Sequence, residues 1–336
     1  MDRPVAPAAG PGAGNDCRPW RRRGMGRALP GALFAALCLA SLMVGAGRME
    51  LAQLTTFSGE AWLTLTASRL PRLAAVVLTG AGLAVCGAVL QQILRNRFVE
   101  PATTGGLEAA KLGILVALTL LPGAGQGVRM ALAMAFCLAA SLIFAVITAR
   151  LRATVLVPVA GLMYGSVLGA LAEFYAYSRN FLQGMQGWML GDFSKVVQGS
   201  YEVVWLVLPV VAATYVFARR FTLIGMGAEV AASLGLGYRA MVVLGLVLVS
   251  ATVAATVITV GAIPFVGLVV PNLVSLWRGD DLTRTLPMIA AGGAMLLLIC
   301  DLLGRLIIWP YEVPVGLTGG GVGGLMFLFL ILWGRR

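Results

Sequence analysis

The chain has 336 residues, of which 59% are hydrophobic and only 12% are charged. Soluble domains contain about 25% charged residues, so this composition excludes an ordinary soluble protein and indicates one embedded in lipid. The formal net charge of +11 does not indicate nucleic-acid binding, because the arginines flank apolar stretches instead of forming one patch.

The N-terminal residues 1–27 are rich in Pro, Ala, Gly and Arg. This composition predicts a disordered, basic tail. The next stretch has a signal-peptide-like end at Val44–Gly47. Its apolar part exceeds the usual core of about 7–15 residues, so we predict an uncleaved first membrane span.

Ten apolar stretches follow the tail. A helix needs about 20 residues to cross the hydrocarbon of a bilayer, and continuous apolar runs indicate helices instead of barrel strands. We therefore predict an all-α membrane protein in which residues 28–336 form a ten-helix polytopic bundle. The predicted spans are 28–47, 69–94, 107–121, 128–149, 154–177, 201–218, 238–260, 262–277, 286–305 and 314–333.

Arginines gather at alternate span ends. Because Lys and Arg mark the cytoplasmic side of membrane proteins, this pattern predicts that both termini are cytoplasmic. Arg69, Arg72 and Arg305 break the pattern, since they fall at outer span ends. Two interpretations stay open: an interfacial or intrachain role, or a docking site for an acidic partner outside the membrane. Asp301, four residues before Arg305, is predicted to pair with it.

A polar segment lies between the sixth and seventh predicted spans, on the predicted cytoplasmic side. Ala and Glu favour a helix there, and a glycine at each end interrupts it. We predict a short cytoplasmic helix, which by itself is compatible with an ordinary solvated connector. Its residues of interest are Gly227, Ala228, Glu229, Ala231, Ala232, Ser233 and Gly235.

Few ionisable residues lie inside the predicted spans, where each is costly. Glu108 and Lys111 are three apart on one helix face, so we interpret them as a mutually neutralising pair, with a substrate contact as the alternative. Glu173 is either a pathway residue or an interfacial one. Met163 either lines an apolar pathway or fills the core.

Missing residue types exclude several chemistries. The chain contains no His, which excludes a His-based metal site, and its five cysteines form no C-x-x-C pair. Neither of its lysines, Lys111 and Lys195, sits in a G-x-x-x-x-G-K-[ST] phosphate loop. We therefore predict no metal, no cofactor and no ATPase site, and energy must come from a separate subunit.

Four motifs follow one another along the chain. They are Arg69–Arg72 with Gly80–Gln91, then Arg95–Pro101, then Gly261–Asn272, then Asp301–Arg305 with Glu312–Gly316. The second motif resembles the pattern N-P-L-A-x-P, but Arg97 stands in place of its first Pro. The third resembles the pattern G-x-I-x-F-V-G-L-x-x-P-H, but Asn272 stands in place of its His.

With these motifs, residues 51–333 resemble the membrane-spanning permease subunits of ABC importers for iron–siderophore complexes, haem and vitamin B12. The resemblance implies a bacterial inner-membrane permease paired with a second permease subunit, identical or paralogous. It implies that Arg69, Arg72 and Arg305 face Glu residues of an extracytoplasmic substrate-binding protein. It also implies that the segment around Glu229 is a coupling helix seated on an ATP-binding cassette ATPase subunit.

The substrate and the energy source leave alternatives open. Residues 100–113 resemble a variant found in permeases for catecholate-type siderophores, so we expect an iron chelate. The runner-up function is a secondary transporter driven by an ion gradient, which also uses broken helices. Such a transporter needs buried carboxylates, and few are available in this sequence.

Overall fold

The computed structural model describes residues 25–44, 59–151, 156–199 and 201–333. Residues 1–24 of the predicted tail lie outside these ranges. Within the ranges the chain is helical and contains no β-strand. The helices are α1 Met25–Met43, α2 Gly59–Thr64, α3 Leu70–Ile93, α4 Gly106–Leu120, α5 Gln126–Ala149, α6 Leu156–Ser178, α7 Leu182–Trp188, α8 Val207–Val216, α9 Ala218–Gly225, α10 Ala228–Ser233, α11 Tyr238–Thr259, α12 Val266–Arg278, α13 Leu282–Leu306 and α14 Val315–Trp333.

Six helical stretches of the described chain are long and apolar enough to cross a membrane. They are Trp62–Ile93, which joins α2 to α3 through a π-helical turn, and the helices α5, α6, α11, α13 and α14. The bent pair α8–α9 makes a seventh candidate if it is counted as one crossing, and α1 and α12 contain shorter apolar helices. Each of the ten predicted stretches therefore contains a helix.

The predicted span 201–218 differs most from its observed form. It begins with the 3₁₀ turn Glu202–Leu206 and continues as α8. The chain then bends by 63° into α9. Arg219 and Arg220 of α9 are exposed whereas Phe221 and Ile224 are buried, so α9 is amphipathic and lies across the end of the bundle instead of prolonging α8.

Helix α3 is the central element of the bundle. Its glycines allow neighbouring backbones to approach closely. A Cβ atom on Gly80 would lie 2.5 Å from the carbonyl oxygen of Gly293 in α13, and one on Gly87 would lie 1.8 Å from that of Gly267 in α12. In contrast, α6 and α14 lie at the periphery, with only 22% and 17% of their apolar windows buried.

Helix α3 also defines the two ends of the molecule. Its 24 residues span about 36 Å at ~1.5 Å per residue. Arg72 lies in its first turn, and Arg95 follows its last turn. Helix α13 runs the opposite way, because Arg72 at the start of α3 pairs with Asp301 near the end of α13, while Gln92 near the end of α3 donates to the carbonyl oxygen of Asp280 just before α13 begins. We call the two ends of the molecule the Arg72 end and the Arg95 end, after the residues at the two ends of α3.

Candidate functional site

An ionic cluster lies at the Arg72 end. The Arg72 guanidinium bridges two carboxylates, with 2.8 Å to Asp301 of α13 and 2.7 Å to Glu312 in the segment after α13. Asp301 is fully buried and also pairs with Arg305. The predicted pairing of Asp301 with Arg305 is thus confirmed. Because two carboxylates face two guanidinium groups, the buried charges neutralise one another.

Arg305 and Arg69 hold the C-terminus of α1. The last carbonyls of a helix have no partner within the helix. Here Arg305 donates to the carbonyl oxygens of residues 41 and 44 at 2.9 and 2.6 Å. Arg69 donates to those of residues 42 and 43. All four terminal carbonyls therefore accept from a cationic side chain, which is also the favoured charge at this end of a helix.

The structure brings the three predicted docking arginines together at one end of the bundle. Their place on the outer face and their role in docking stay predictions. Sequence reasoning missed that Glu312 pairs with Arg72, although Glu312 stands in a motif at a predicted outer end. It also missed the α1 carbonyls, for which the sequence offers no signal.

The predicted short helix is present as α10 at the Arg95 end. Ala231 is fully buried and anchors it, whereas Ala228, Glu229, Ala232 and Ser233 are exposed. Gly235 adopts φ +72°, and the amides of residues 235 and 236 donate to the carbonyls of residues 232 and 231. This paired glycine cap ends the helix after less than two turns.

Gly227 sets the start of α10. Its backbone, at φ +118° and ψ 161°, lies in a region that is essentially restricted to glycine. A Cβ atom on Gly227 would lie 3.5 Å from the guanidinium of Arg95. Helix α10 is thus fixed next to the turn that joins α3 to α4, with its polar face directed outward.

Two departures from the permease motifs contact each other at this same end. The Asn272 side-chain amide donates to the carbonyl oxygen of Arg97 at 2.7 Å. The Arg97 guanidinium pairs with Asp280 at 2.6 Å, and Asp280 also accepts from Ser275. The unusual residues 97 and 272 therefore belong to one polar cluster, which ties the α3–α4 turn to α12.

The described arginines divide unequally between the two ends. The α3–α4 turn meets the end of α5 and the start of α11 around one cavity and the α12–α13 corner around another, and Arg95 lines both. Exposed arginines of these elements and of α9 therefore lie at the Arg95 end. They are Arg95, Arg97, Arg150, Arg219, Arg220, Arg239, Arg278 and Arg284.

A groove of about 370 Å³ runs between α4 and α6. Glu108 and Glu173 both line it, together with Ser166 and small residues of α6. Lys111 pairs with Glu108 and is buried, so the predicted neutralising pair is confirmed. Met163 is 68% exposed on α6 but does not line the groove.

Gly169 brings the α6 backbone against the Glu108 carboxylate, since a Cβ atom there would lie 3.5 Å from Oε2. Hydrocarbon is a costly environment for a carboxylate. This side of α6 is therefore suited to water or to a protein partner. Among the described residues, no group of three His, Cys, Asp or Glu side chains is placed to hold a metal ion.

Comparison with known proteins gives consistent matches along the chain. The family model of the FecCD transport family matches residues 33–333. The ferric-anguibactin transport system permease protein FatD of Vibrio anguillarum is 56% identical over 305 residues, which covers 90% of this chain and 97% of that protein. The petrobactin import system permease protein YclN of Bacillus subtilis is 41% identical over 302 residues, covering 89% and 96%.

A solved structure shares the fold. It is an inward-facing conformation of a protein described as a metal-chelate type ABC transporter. It matches with a TM-score of 0.76 at 22% identity, over 91% of this chain and 98% of that one.

Proposed function

Because this chain belongs to the FecCD transport family, we propose that it carries a ferric siderophore across the bacterial inner membrane as the permease subunit of an ATP-driven importer. The observation that carries this function is the 56% identity, along nearly the whole chain, to a permease protein for ferric-anguibactin. The relatives are permease subunits and not enzymes. Iron is here part of the cargo, enclosed by its chelator.

The Arg95 end is the cytoplasmic side. The gathering of arginines there supports this orientation, because basic residues stay on the cytoplasmic side during insertion. In this arrangement the six long apolar stretches are six crossings, the 3₁₀ turn Glu202–Leu206 with α8 is the seventh, and α1, α4 and α12 are the other three. Ten crossings place both termini in the cytoplasm, and residues 28–336 form one permease domain.

Helix α10 is the contact with the ATPase subunit. Its exposed face and its fixed position beside the α3–α4 turn support this role, because a rigid element can carry a nucleotide-driven rotation into the bundle. Glu229 is the main polar contact, with Ala228, Ala232 and Ser233 around it. Gly227 and Gly235 set the ends of the helix, and Ala231 anchors it.

The groove between α4 and α6 lies along the substrate pathway. Two carboxylates and a hydroxyl in an open groove support this placement, since they are poorly suited to contact with lipid tails. The weakly buried, apolar α6 and α14 supply the surfaces for a second permease subunit and for lipid. Glu108, held by Lys111, and Glu173 then face the passing chelate, and Met163 lies at the subunit boundary.

The Arg72 end receives the substrate-binding protein. Its position at the opposite end of α3 from α10 supports this role, because alternating access requires the carrier and the ATPase to act on opposite faces. Arg69, Arg72 and Arg305, which lie together at this end, are its contacts for carboxylates of that protein.

Reconstitution in proteoliposomes tests the function. The complex, purified through this chain, should contain an ATPase and a binding protein identified by mass. When α10 faces the vesicle lumen, uptake of a ferric siderophore should require ATP in the lumen. Uptake should also persist when a protonophore collapses the proton gradient. Uptake that needs the gradient and ignores ATP would contradict the proposal. Parallel assays with ferric catecholate and ferric hydroxamate chelates test the expected catecholate preference.

A further inference from the structure

The three arginines of the Arg72 end are not equally available to a partner. Arg69 and Arg305 donate to the terminal carbonyls of α1. The Arg305 side chain is 5% exposed and Asp301 is not exposed. A carboxylate from outside could reach Arg305 only if the end of α1 were first detached.

Arg72 differs because one of its two partners can move. Asp301 is fixed inside α13, but Glu312 lies in the non-helical segment between α13 and α14 and its side chain is 21% exposed. Glu312 covers the Nη1 atom of Arg72 at 2.7 Å. A few side-chain torsions would uncover that atom without disturbing a helix.

We propose that Glu312 is a built-in competitor for Arg72, which it occupies in the undocked permease and releases to a carboxylate of the docking substrate-binding protein. The inference rests on the proposed function, in which the Arg72 end is the docking surface. It selects Arg72 as the exchangeable contact and gives Arg69 and Arg305 the task of fixing α1.

The exchange has a physical rationale. Arg72 is only 13% exposed, so leaving its charge without a counter-charge is costly. Replacing one carboxylate by another keeps the charge balanced throughout docking. The competitor also raises the apparent Kd of docking, because the carrier can bind Arg72 only during the fraction of time that Glu312 leaves it uncovered. A higher Kd favours release of the carrier after delivery.

The test measures the binding of the co-purified binding protein to the full permease–ATPase complex in nanodiscs. Glu312→Gln removes the competing charge, and the Kd should fall by about three- to tenfold, the range of one partly exposed ion pair. Glu202→Gln is the matched control. Glu202 is exposed and lies at the Arg72 end. Its neighbour Gln198 donates from its amide to the carbonyl oxygen of Ala67, which lies in the π-helical turn just before α3.

The control variant removes the same charge but leaves Arg72 untouched, so its Kd should change by less than about twofold. In an Arg72→Gln background, Glu312→Gln should no longer tighten binding beyond this control. A Glu312→Gln complex that binds no tighter than Glu202→Gln overturns the inference. So does a gain that survives without Arg72, or a failure of Glu312→Gln to assemble, since Asp301 should still pair with both Arg72 and Arg305.

The proposed function and the competitor role of Glu312 can be refuted separately. If the wild-type complex captures no binding protein, the proposed function itself is wrong. If the wild-type complex binds its carrier and Glu312→Gln does not tighten that binding, only the competitor role is wrong.

Discussion

Replacing Gly87 by Ala should destabilise the bundle at its centre. The new Cβ atom would lie 1.8, 2.4 and 2.5 Å from three backbone atoms of Gly267, where real contacts essentially never fall below 3.0 Å. Since no flexible side chain can yield, α3 and α12 would have to separate by about 1.2 Å, which loosens the close packing between them.

The loss of stability in Gly87→Ala is the difference between two opposing effects. Overpacking costs about 1–3 kcal/mol, and a rigid backbone contact belongs at the upper end of that range. Replacing a helical glycine by alanine stabilises the helix by about 1 kcal/mol. The net loss should be roughly 2 kcal/mol. At Gly324 of α14 nothing lies within 4 Å of the added atom, so Gly324→Ala should be neutral or slightly stabilising.

The assay is thermal unfolding of both variants in the same detergent, followed by tryptophan fluorescence. Gly87→Ala should have a lower Tm than wild type, and Gly324→Ala an equal or higher one. If Gly87→Ala melted at or above Gly324→Ala, the close approach of α3 and α12 would be refuted.

Three further outcomes are expected. Arg305→Met strips the α1 carbonyls of a donor and unbalances the buried charges, which should cost about 3–5 kcal/mol; an unchanged Tm would show that the α1 cap is dispensable. Lys111→Met leaves Glu108 without its buried partner and should lower the Tm. The double replacement Glu108→Gln with Lys111→Met should recover much of that loss, and a double variant less stable than Lys111→Met would contradict the pairing. Glu229→Arg should leave basal ATP hydrolysis intact but abolish uptake in proteoliposomes, with Ser233→Ala as a conservative control on the same helix; normal uptake by Glu229→Arg would argue against α10 as the coupling contact.

Local sequence patterns determined the elements and the close pairs. Each continuous apolar run that predicted a span contains a helix, because a membrane helix satisfies its own backbone. Glu108–Lys111 and Asp301–Arg305 were predictable because the helical period places residues three and four apart on one face. The glycines on either side of α10 likewise predicted its ends, since their backbone conformations are accessible to few other residues.

Contacts between distant segments needed the tertiary structure. Arg72 and Glu312 are 240 residues apart, and Asn272 and Arg97 are 175 apart. No helical period relates such residues, and their meeting depends on how α3 packs against α13 and α12.

The sequence alone thus determined a helical membrane protein, its motifs and its local ion pairs, because these depend on composition and on neighbours along one helix. Tertiary structure alone decided that the arginines at one end of α3 are unequal. Two of them hold the end of α1, and one is covered by a carboxylate from the non-helical segment between α13 and α14. That difference arises from which backbone groups the packing leaves without partners, and a linear pattern does not contain it.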